Sequence, residues 1–141
     1  MFMTSKRKRP SVAAADKIPT PSPPPNSNGG HPLFCFQYLR DGFGIEDLSN
    51  DQQAKLALGL GTIARYSWQE CTLAPKHSKI GTEVLDIKWI KRPRVLEFPE
   101  VSKYLVFRYT GANHPVIGVR DGNVFHALWI EREFGDVYDH G

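Results

Sequence analysis

Three short apolar runs in the last third of the chain, separated by turn-forming residues, restrict the fold more than any other feature of the sequence. They cover residues 104–109, 115–120 and 124–130, and each has the length and the Val, Ile, Phe and Tyr content of a β-strand. The Asp-Gly-Asn sequence at 121–123 separates the last two runs, and these residues favour the tight turn of a hairpin. The sequence therefore predicts antiparallel strands in this region.

Alternation along each run assigns side chains to the two faces of the sheet. It places Arg108 on the same face as Val106, and Trp129 on the same face as Phe125 and opposite His126. Both faces are largely apolar, so we expect both to be at least partly covered by the rest of the chain.

Helical patterns occupy the centre of the chain. Ser49 lies three residues before Gln52, which is the spacing of a capping box, and apolar residues follow at helical intervals. The pattern predicts a helix over residues 50–66 and a shorter helical segment over 67–74.

Two further segments are predicted to be strands. Residues 33–39 are aromatic and apolar, and residues 84–90 alternate imperfectly. The order is then an N-terminal strand, two helices, and an antiparallel meander of three to four strands. We expect an α+β fold with both helices on one face of a curved sheet.

The first thirty residues differ in composition from the rest. Residues 10–30 hold six of the eleven prolines, and the segment has too few apolar residues to offset the entropy of ordering. We predict a disordered tail over 1–30 and a single domain over 31–141. The basic cluster Lys6–Arg9 is not followed by the apolar stretch of a secretory signal. It is either a nuclear-localisation or nucleic-acid patch, or a solvated leader without a specific partner.

The net charge of +3 is unevenly distributed along the chain. The tail carries +4 and the remaining residues carry −1. Residues 76–120 hold nine Lys and Arg against four Asp and Glu, whereas residues 121–141 hold one against five. Any contact with RNA must therefore depend on the central basic block rather than on the overall charge.

Composition also excludes several classes of protein. No apolar run approaches the roughly 18 residues of a membrane-spanning helix, so we expect a cytoplasmic protein without membrane contact. Cys35 and Cys71 form no paired motif, and no two histidines have the spacing of a helical zinc site. No glycine-rich phosphate loop follows a strand. We therefore expect neither a metal nor a cofactor.

A few polar residues interrupt the apolar pattern of the C-terminal third. Arg108 and Arg120 lie in the first two runs, His126 lies in the third, and Tyr138 and His140 lie near the end. A charged side chain in an apolar strand needs a partner or a polar cleft. Alternatively, each arginine side chain reaches water from the end of its strand, and His126 is a structural histidine whose ring nitrogens have hydrogen-bond partners.

These residue types together suit the cleavage of an RNA phosphodiester without a metal. The reaction needs a base for the 2′-hydroxyl, a cation for the charge on the phosphorane, and an acid for the 5′-oxygen. Histidine and tyrosine carry protons, and arginine holds the charge. The same side chains could instead bind an acidic protein partner at the surface.

The C-terminal third resembles the RelE/ParE superfamily of toxins from type II toxin–antitoxin systems. The resemblance rests on residues 105–109, 115–120 and 123–130 together with the terminal sequence Tyr138-Asp-His140. It implies a β-α-α-β-β-β fold, cleavage of messenger RNA on the ribosome, and neutralisation by an antitoxin protein.

Candidate site residues follow from the polar pattern, the basic block and this resemblance. The candidate catalytic residues are Arg108, Arg120, His126, Tyr138 and His140. The candidate nucleic-acid contacts are Lys76, Lys88, Lys91, Arg92 and Arg94.

Two features favour other interpretations. The last 21 residues are acidic and would repel RNA, and the connector over 91–103 is longer than a tight turn. The ParE-like branch of the superfamily acts on DNA gyrase by protein contact. The alternative is therefore a non-catalytic toxin or interaction module that binds a replication or translation component. A third possibility is a small α+β domain whose sheet serves only as a scaffold.

Overall fold

The structure, a computed structural model, describes residues 29–109 and 114–140. The Lys6–Arg9 cluster and all but the last two residues of the predicted tail lie outside the described residues.

The described residues form an α+β fold with two α-helices and a five-stranded mixed sheet. The elements in chain order are β1 (Leu33–Cys35), α1 (Asn50–Ile63), α2 (Trp68–Leu73), β2 (Thr82–Asp86), β3 (Lys103–Arg108), β4 (Pro115–Asp121) and β5 (Val124–Ile130). Single 3-10 turns occur at Ile45–Asp47 and Ile87–Trp89. The strand order is β1-β5-β4-β3-β2. The sheet is mixed because β1 runs parallel to β5, whereas the other neighbours are antiparallel.

Side-chain caps determine where both helices begin. The Ser49 hydroxyl accepts from the Gln52 amide, and the Gln52 side chain accepts from the Ser49 amide. Ser67 and Glu70 form the same reciprocal pair at the start of α2. α1 ends at Ile63 rather than at residue 66, and Ser67 is extended as the N-cap of α2.

Two predicted strands are shorter than the apolar pattern suggests. β1 ends at Cys35 instead of continuing to residue 39. Its last partner in β5 is His126, two residues before a bulge in the pairing of β5 with β4. The strand predicted over 84–90 ends at Asp86. The Asp86 carboxylate accepts from the Lys88 amide, and this bond caps the 3-10 turn that replaces the end of the strand.

The bulge in β5 also changes which face some side chains occupy. Ile117 pairs with Trp129 and Gly118 pairs with Ala127, so Leu128 is the extra residue. Trp129 therefore packs with Leu128 on the face opposite Phe125. The prediction that Trp129 and Phe125 share a face was wrong, because an inserted residue reverses strict alternation.

Both faces of the sheet carry a buried apolar cluster. The helices cover one cluster, in which Trp68 and Ile63 pack against Phe107 and Phe125. The connector before β3 and the C-terminal segment cover the other. There Val95 and Val137 are buried against the strands, so this long connector is part of the core.

A pair of glycines in α1 allows a matched test of this packing. A Cβ on Gly59 would overlap the backbone carbonyl of Tyr109, whereas a Cβ on Gly61 would meet nothing within 4 Å. We expect Gly59→Ala to lower the free energy of unfolding by about 1–3 kcal/mol through overpacking. Gly61→Ala should raise it by up to about 1 kcal/mol, since alanine favours the helix. Urea unfolding of both variants measures the difference, and a Gly59→Ala protein as stable as the wild type would contradict the packing.

None of the helices in residues 29–109 and 114–140 has the length and apolarity needed to cross a bilayer.

Candidate active site

A cleft of about 540 Å³ opens on the sheet face opposite the helices. It lies between β2, β3, the residues that flank β2, and the C-terminal segment after β5. The residues that line it are Lys76, His77, Glu83, Leu85, Trp89, Arg108, Phe134, Tyr138, Asp139 and His140. Three of the five candidate catalytic residues, Arg108, Tyr138 and His140, are therefore together in one place.

Arg108 is the buried cation of this cleft. Arg108 is only 5% exposed, and its Nη2 donates to Oε1 of Glu83 at 2.6 Å. The other oxygen of Glu83 lies 3.4 Å from Nζ of Lys76. Nη1 of Arg108 is buried and has no hydrogen-bond partner within the described part of the chain. Nη2 of the guanidinium thus binds the Glu83 carboxylate, whereas Nη1 can still donate a hydrogen bond.

The pKa of Glu83 reflects this pair. Burial raises it, but the hydrogen bond and the charge of Arg108, assisted by Lys76, outweigh burial and bring the pKa below its ordinary value. The carboxylate therefore remains ionised, and the charge of Arg108 is compensated inside the cleft.

His140 is held by a fully buried carboxylate. Its Nε2 lies 2.7 Å from Oε1 of Glu131, whose side chain has no exposed surface. The second oxygen of Glu131 accepts from the backbone amides of Val137 and Tyr138. Since a carboxylate only accepts, Nε2 donates to it, and in the neutral imidazole the lone pair is then on Nδ1. This geometry is that of a proton acceptor oriented by a carboxylate.

Aromatic contacts fix the same imidazole from the sides. The Tyr138 ring stacks on it with centroids 4.2 Å apart, and the Phe134 ring lies 4.5 Å away at an angle of 49°. Phe134 in turn stacks on His114. The C-terminal segment therefore orients the ring of His140 by packing as well as by the bond to Glu131.

Tyr138 contributes a buried hydroxyl to the cleft. Its oxygen has no hydrogen-bond partner among residues 29–109 and 114–140. Burial, together with the negative charge of Glu83, raises the pKa of Tyr138 to about 12, although Arg108 lowers it in part. The phenol is consequently protonated at neutral pH and available as a donor rather than as a base.

Arg120 and His126, the other two candidate catalytic residues, lie elsewhere. Arg108 pairs with Pro115 in the sheet, five residues before Arg120 on β4. The guanidinium of Arg120 lies 4.2 Å above the ring of Trp68, on the helix-covered face. His126 packs against two aromatic rings, those of Tyr38 and Phe98.

The candidate nucleic-acid contacts also divide into two groups. Lys76 lines the cleft, Lys91 pairs with Asp139 of the cleft at 3.0 Å, and Lys88 lies 5.3 Å from the ring centroid of Trp89. In contrast, Arg92 donates to the backbone of Asp136, and Arg94 donates to the backbone of Pro99. Lys76 therefore lines the cleft and the other two lysines contact residues that line it, whereas these two arginines bind the protein's own loops.

Sequence reasoning missed the two carboxylates that organise the site. Glu83 is a single acidic residue in a short strand, and Glu131 directly follows the apolar run of β5. No spacing links either of them to Arg108 or His140. The position of Glu131 after a buried strand was the only available signal, because a residue there is close to the core.

A larger cavity of about 900 Å³ lies on the other side of the sheet, between α1 and the segment after β5. Its polar lining includes Asp47, Lys55, Lys79, His114 and Arg132. Its lining also includes Tyr109, and residues 110–113 are outside the described part of the chain. The cleft is the stronger candidate because it combines buried charge, unpartnered donors and an oriented histidine.

The described residues contain no group of three or more His, Cys, Asp or Glu side chains placed to hold a metal ion. Comparison with known proteins gives no match to a family model, to a curated protein or to a solved structure.

Proposed function

We propose that this chain is a metal-independent endoribonuclease of the RelE/ParE kind, with its active site in the cleft. The observation that carries the proposal is the convergence of Arg108, Tyr138 and His140. These residues come from β3 and from the C-terminal segment, and they line one cleft. Nη1 of Arg108 and the hydroxyl of Tyr138 are buried there without a hydrogen-bond partner among the described residues.

His140 acts as the base in the proposed reaction. Glu131 binds the imidazole through Nε2, so Nδ1 takes the proton of the 2′-hydroxyl. The 2′-oxygen then attacks phosphorus, and the bond from phosphorus to the 5′-oxygen breaks. The products are a 2′,3′-cyclic phosphate and a 5′-hydroxyl, and His140 returns its proton to solvent.

Arg108 and Tyr138 act on the charge that develops in this reaction. Nη1 of Arg108 donates to a phosphorane oxygen, and its burial increases the strength of that interaction. Tyr138 donates its proton to the leaving 5′-oxygen, which is far more basic than a phenolate, and regains a proton from water.

The acidic C-terminal segment repels RNA less than its formal charge suggests. Glu131 is buried against His140, and Asp139 is paired with Lys91. Two of the five Asp and Glu side chains in residues 121–141 are therefore already paired with basic side chains. Under this proposal the substrate is messenger RNA on or off the ribosome, and an antitoxin protein covers the cleft.

A cleavage assay tests the proposal directly. The full chain is incubated with a free 5′-labelled single-stranded RNA in EDTA, and separately, in magnesium buffer, with ribosomes programmed by the same RNA. We expect fragments that end in a 2′,3′-cyclic phosphate and begin with a 5′-hydroxyl. Intact RNA under both conditions would contradict the proposal, as would cleavage of the free RNA that requires an added divalent ion.

One observation favours a second candidate, a module that binds a protein target. The guanidinium of Arg108 already forms an ion pair with Glu83, so part of its charge is compensated before any ligand binds. A pull-down that recovers one stoichiometric replication or translation protein, with RNA left intact, would support this candidate over the nuclease.

A further inference from the structure

We infer that the cleft takes a single RNA strand and that one of its nucleobases stacks on the indole of Trp89. This inference rests on the proposed function and names the form of the substrate that the same site accepts. The cleft would not accept an RNA duplex.

Trp89 is an exposed aromatic ring at the wall of the cleft. It ends the 3-10 turn after β2 and is 60% exposed, whereas Trp68 and Trp129 are 0% and 1% exposed. Lys88 lies against the indole at 5.3 Å from the ring centroid. An aromatic ring that borders a charged cleft while exposed to water is suited to stacking on an unpaired base, with the lysine near the neighbouring phosphate.

The burial of Arg108 favours a single strand over a duplex as the substrate. A phosphate must enter the cleft to reach this guanidinium, because Arg108 is nearly buried. The volume of about 540 Å³ is that of an ordinary small-ligand pocket. It has room for a segment of one strand, and the cylinder of an A-form duplex does not fit.

The polar and apolar residues that line the cleft match the phosphates and bases of a single RNA strand. Lys76 lines the cleft, where its ammonium group can contact a backbone phosphate, and Lys91 neutralises the Asp139 carboxylate that would otherwise repel one. Phe134 is half-exposed and provides an apolar surface beside His140, although His114 already stacks on it. Trp89 is thus the better stacking platform for a base.

The tryptophan distribution allows a direct test. Since the other two tryptophans are buried, quenching of emission by a nucleic acid reports on Trp89. The probe is a 2′-O-methyl RNA 12-mer, which binds but lacks the nucleophile for cleavage. We expect saturable quenching of the full-length protein by the single strand, and at least tenfold weaker binding of the same sequence as a duplex.

Variants measure the contribution of the indole. By anisotropy of the labelled 12-mer, Trp89→Ala should weaken binding about 5- to 150-fold, and Trp89→Phe should restore part of the loss. The control is Leu96→Ala, which removes an apolar side chain that is even more exposed than Trp89 and lies outside the cleft lining. Equal binding of duplex and single strand, or a Trp89→Ala protein that binds like the wild type, would overturn the inference.

The outcomes separate this inference from the proposed function. Cleavage of natural RNA with no effect of Trp89→Ala on binding refutes stacking and leaves the nuclease. Binding that depends on Trp89 without cleavage of natural RNA refutes the nuclease and leaves a single-strand binding cleft. If no RNA binds while a protein target does, both proposals fall.

Discussion

His140→Gln is expected to lower the rate of RNA cleavage by about 10²–10⁴-fold while the protein remains folded. The glutamine amide can still donate to the buried carboxylate of Glu131, which otherwise keeps only its two backbone donors. It cannot accept the proton of the 2′-hydroxyl. Initial rates at saturating RNA measure the loss, and circular dichroism during heating checks the fold.

The matched control for this variant is His31→Gln. His31 is exposed, and its Nδ1 contacts the carbonyl of Tyr66 at 3.0 Å, away from the cleft. Its replacement should leave the cleavage rate unchanged. If His140→Gln and His31→Gln cleave at the same rate, His140 is not the base.

The local chemistry of the sequence predicts much of the fold. The capping box at Ser49 indicates where α1 begins, and the Asp-Gly-Asn turn predicts the hairpin of β4 and β5. Both signals act between residues that are close in the chain. The Leu128 bulge is different, because it depends on how β5 pairs with β4. No residue type within residues 124–130 predicts it.

The candidate site was predictable only in part, for the same reason. The sequence singles out Arg108, Tyr138 and His140 as unusual residues, but their meeting depends on the path of the C-terminal segment across the sheet. Arg108 and Arg120 look equivalent as strand arginines. The β3–β4 register places them on opposite faces, and the sequence does not show that register.

The carboxylate partners are the least visible part of the site. Glu83 and Glu131 belong to it because burial places each beside a cationic or proton-carrying side chain. In a chain with fifteen Asp and Glu residues, nothing local distinguishes these two. Long-range packing, rather than any motif, therefore completes the site.

The ion pair between Glu83 and Arg108 leads to the largest expected effect on stability. Glu83→Gln should lower the free energy of unfolding by about 3–5 kcal/mol, because it leaves the charge of a nearly buried guanidinium without a carboxylate. The control is Glu97→Gln. It breaks a more exposed pair with Arg40, at 3.0 Å, and should cost no more than about 1 kcal/mol. Urea unfolding at neutral pH compares the two, and equal losses would contradict the buried pair.

The pH dependence of unfolding gives a second readout of the same pair. Because the folded-state pKa of Glu83 is below its ordinary value, its contribution to stability is present above the unfolded-state pKa. The contribution is lost as the pH falls through the folded-state pKa. The wild type should therefore lose stability in acid more steeply than Glu83→Gln does, and parallel profiles would contradict this linkage.

The double variant Glu83→Leu/Arg108→Met separates the structural role of the pair from its chemical role. Removing both charges leaves no unpaired ion in the cleft, and apolar side chains of similar size often replace a buried pair without loss of stability. We expect a protein that is more stable than Glu83→Gln and that cleaves RNA at least 10²-fold more slowly than the wild type, since no guanidinium remains to hold the phosphorane charge. A stable double variant with wild-type activity would show that Arg108 serves only the fold and would remove it from the proposed mechanism.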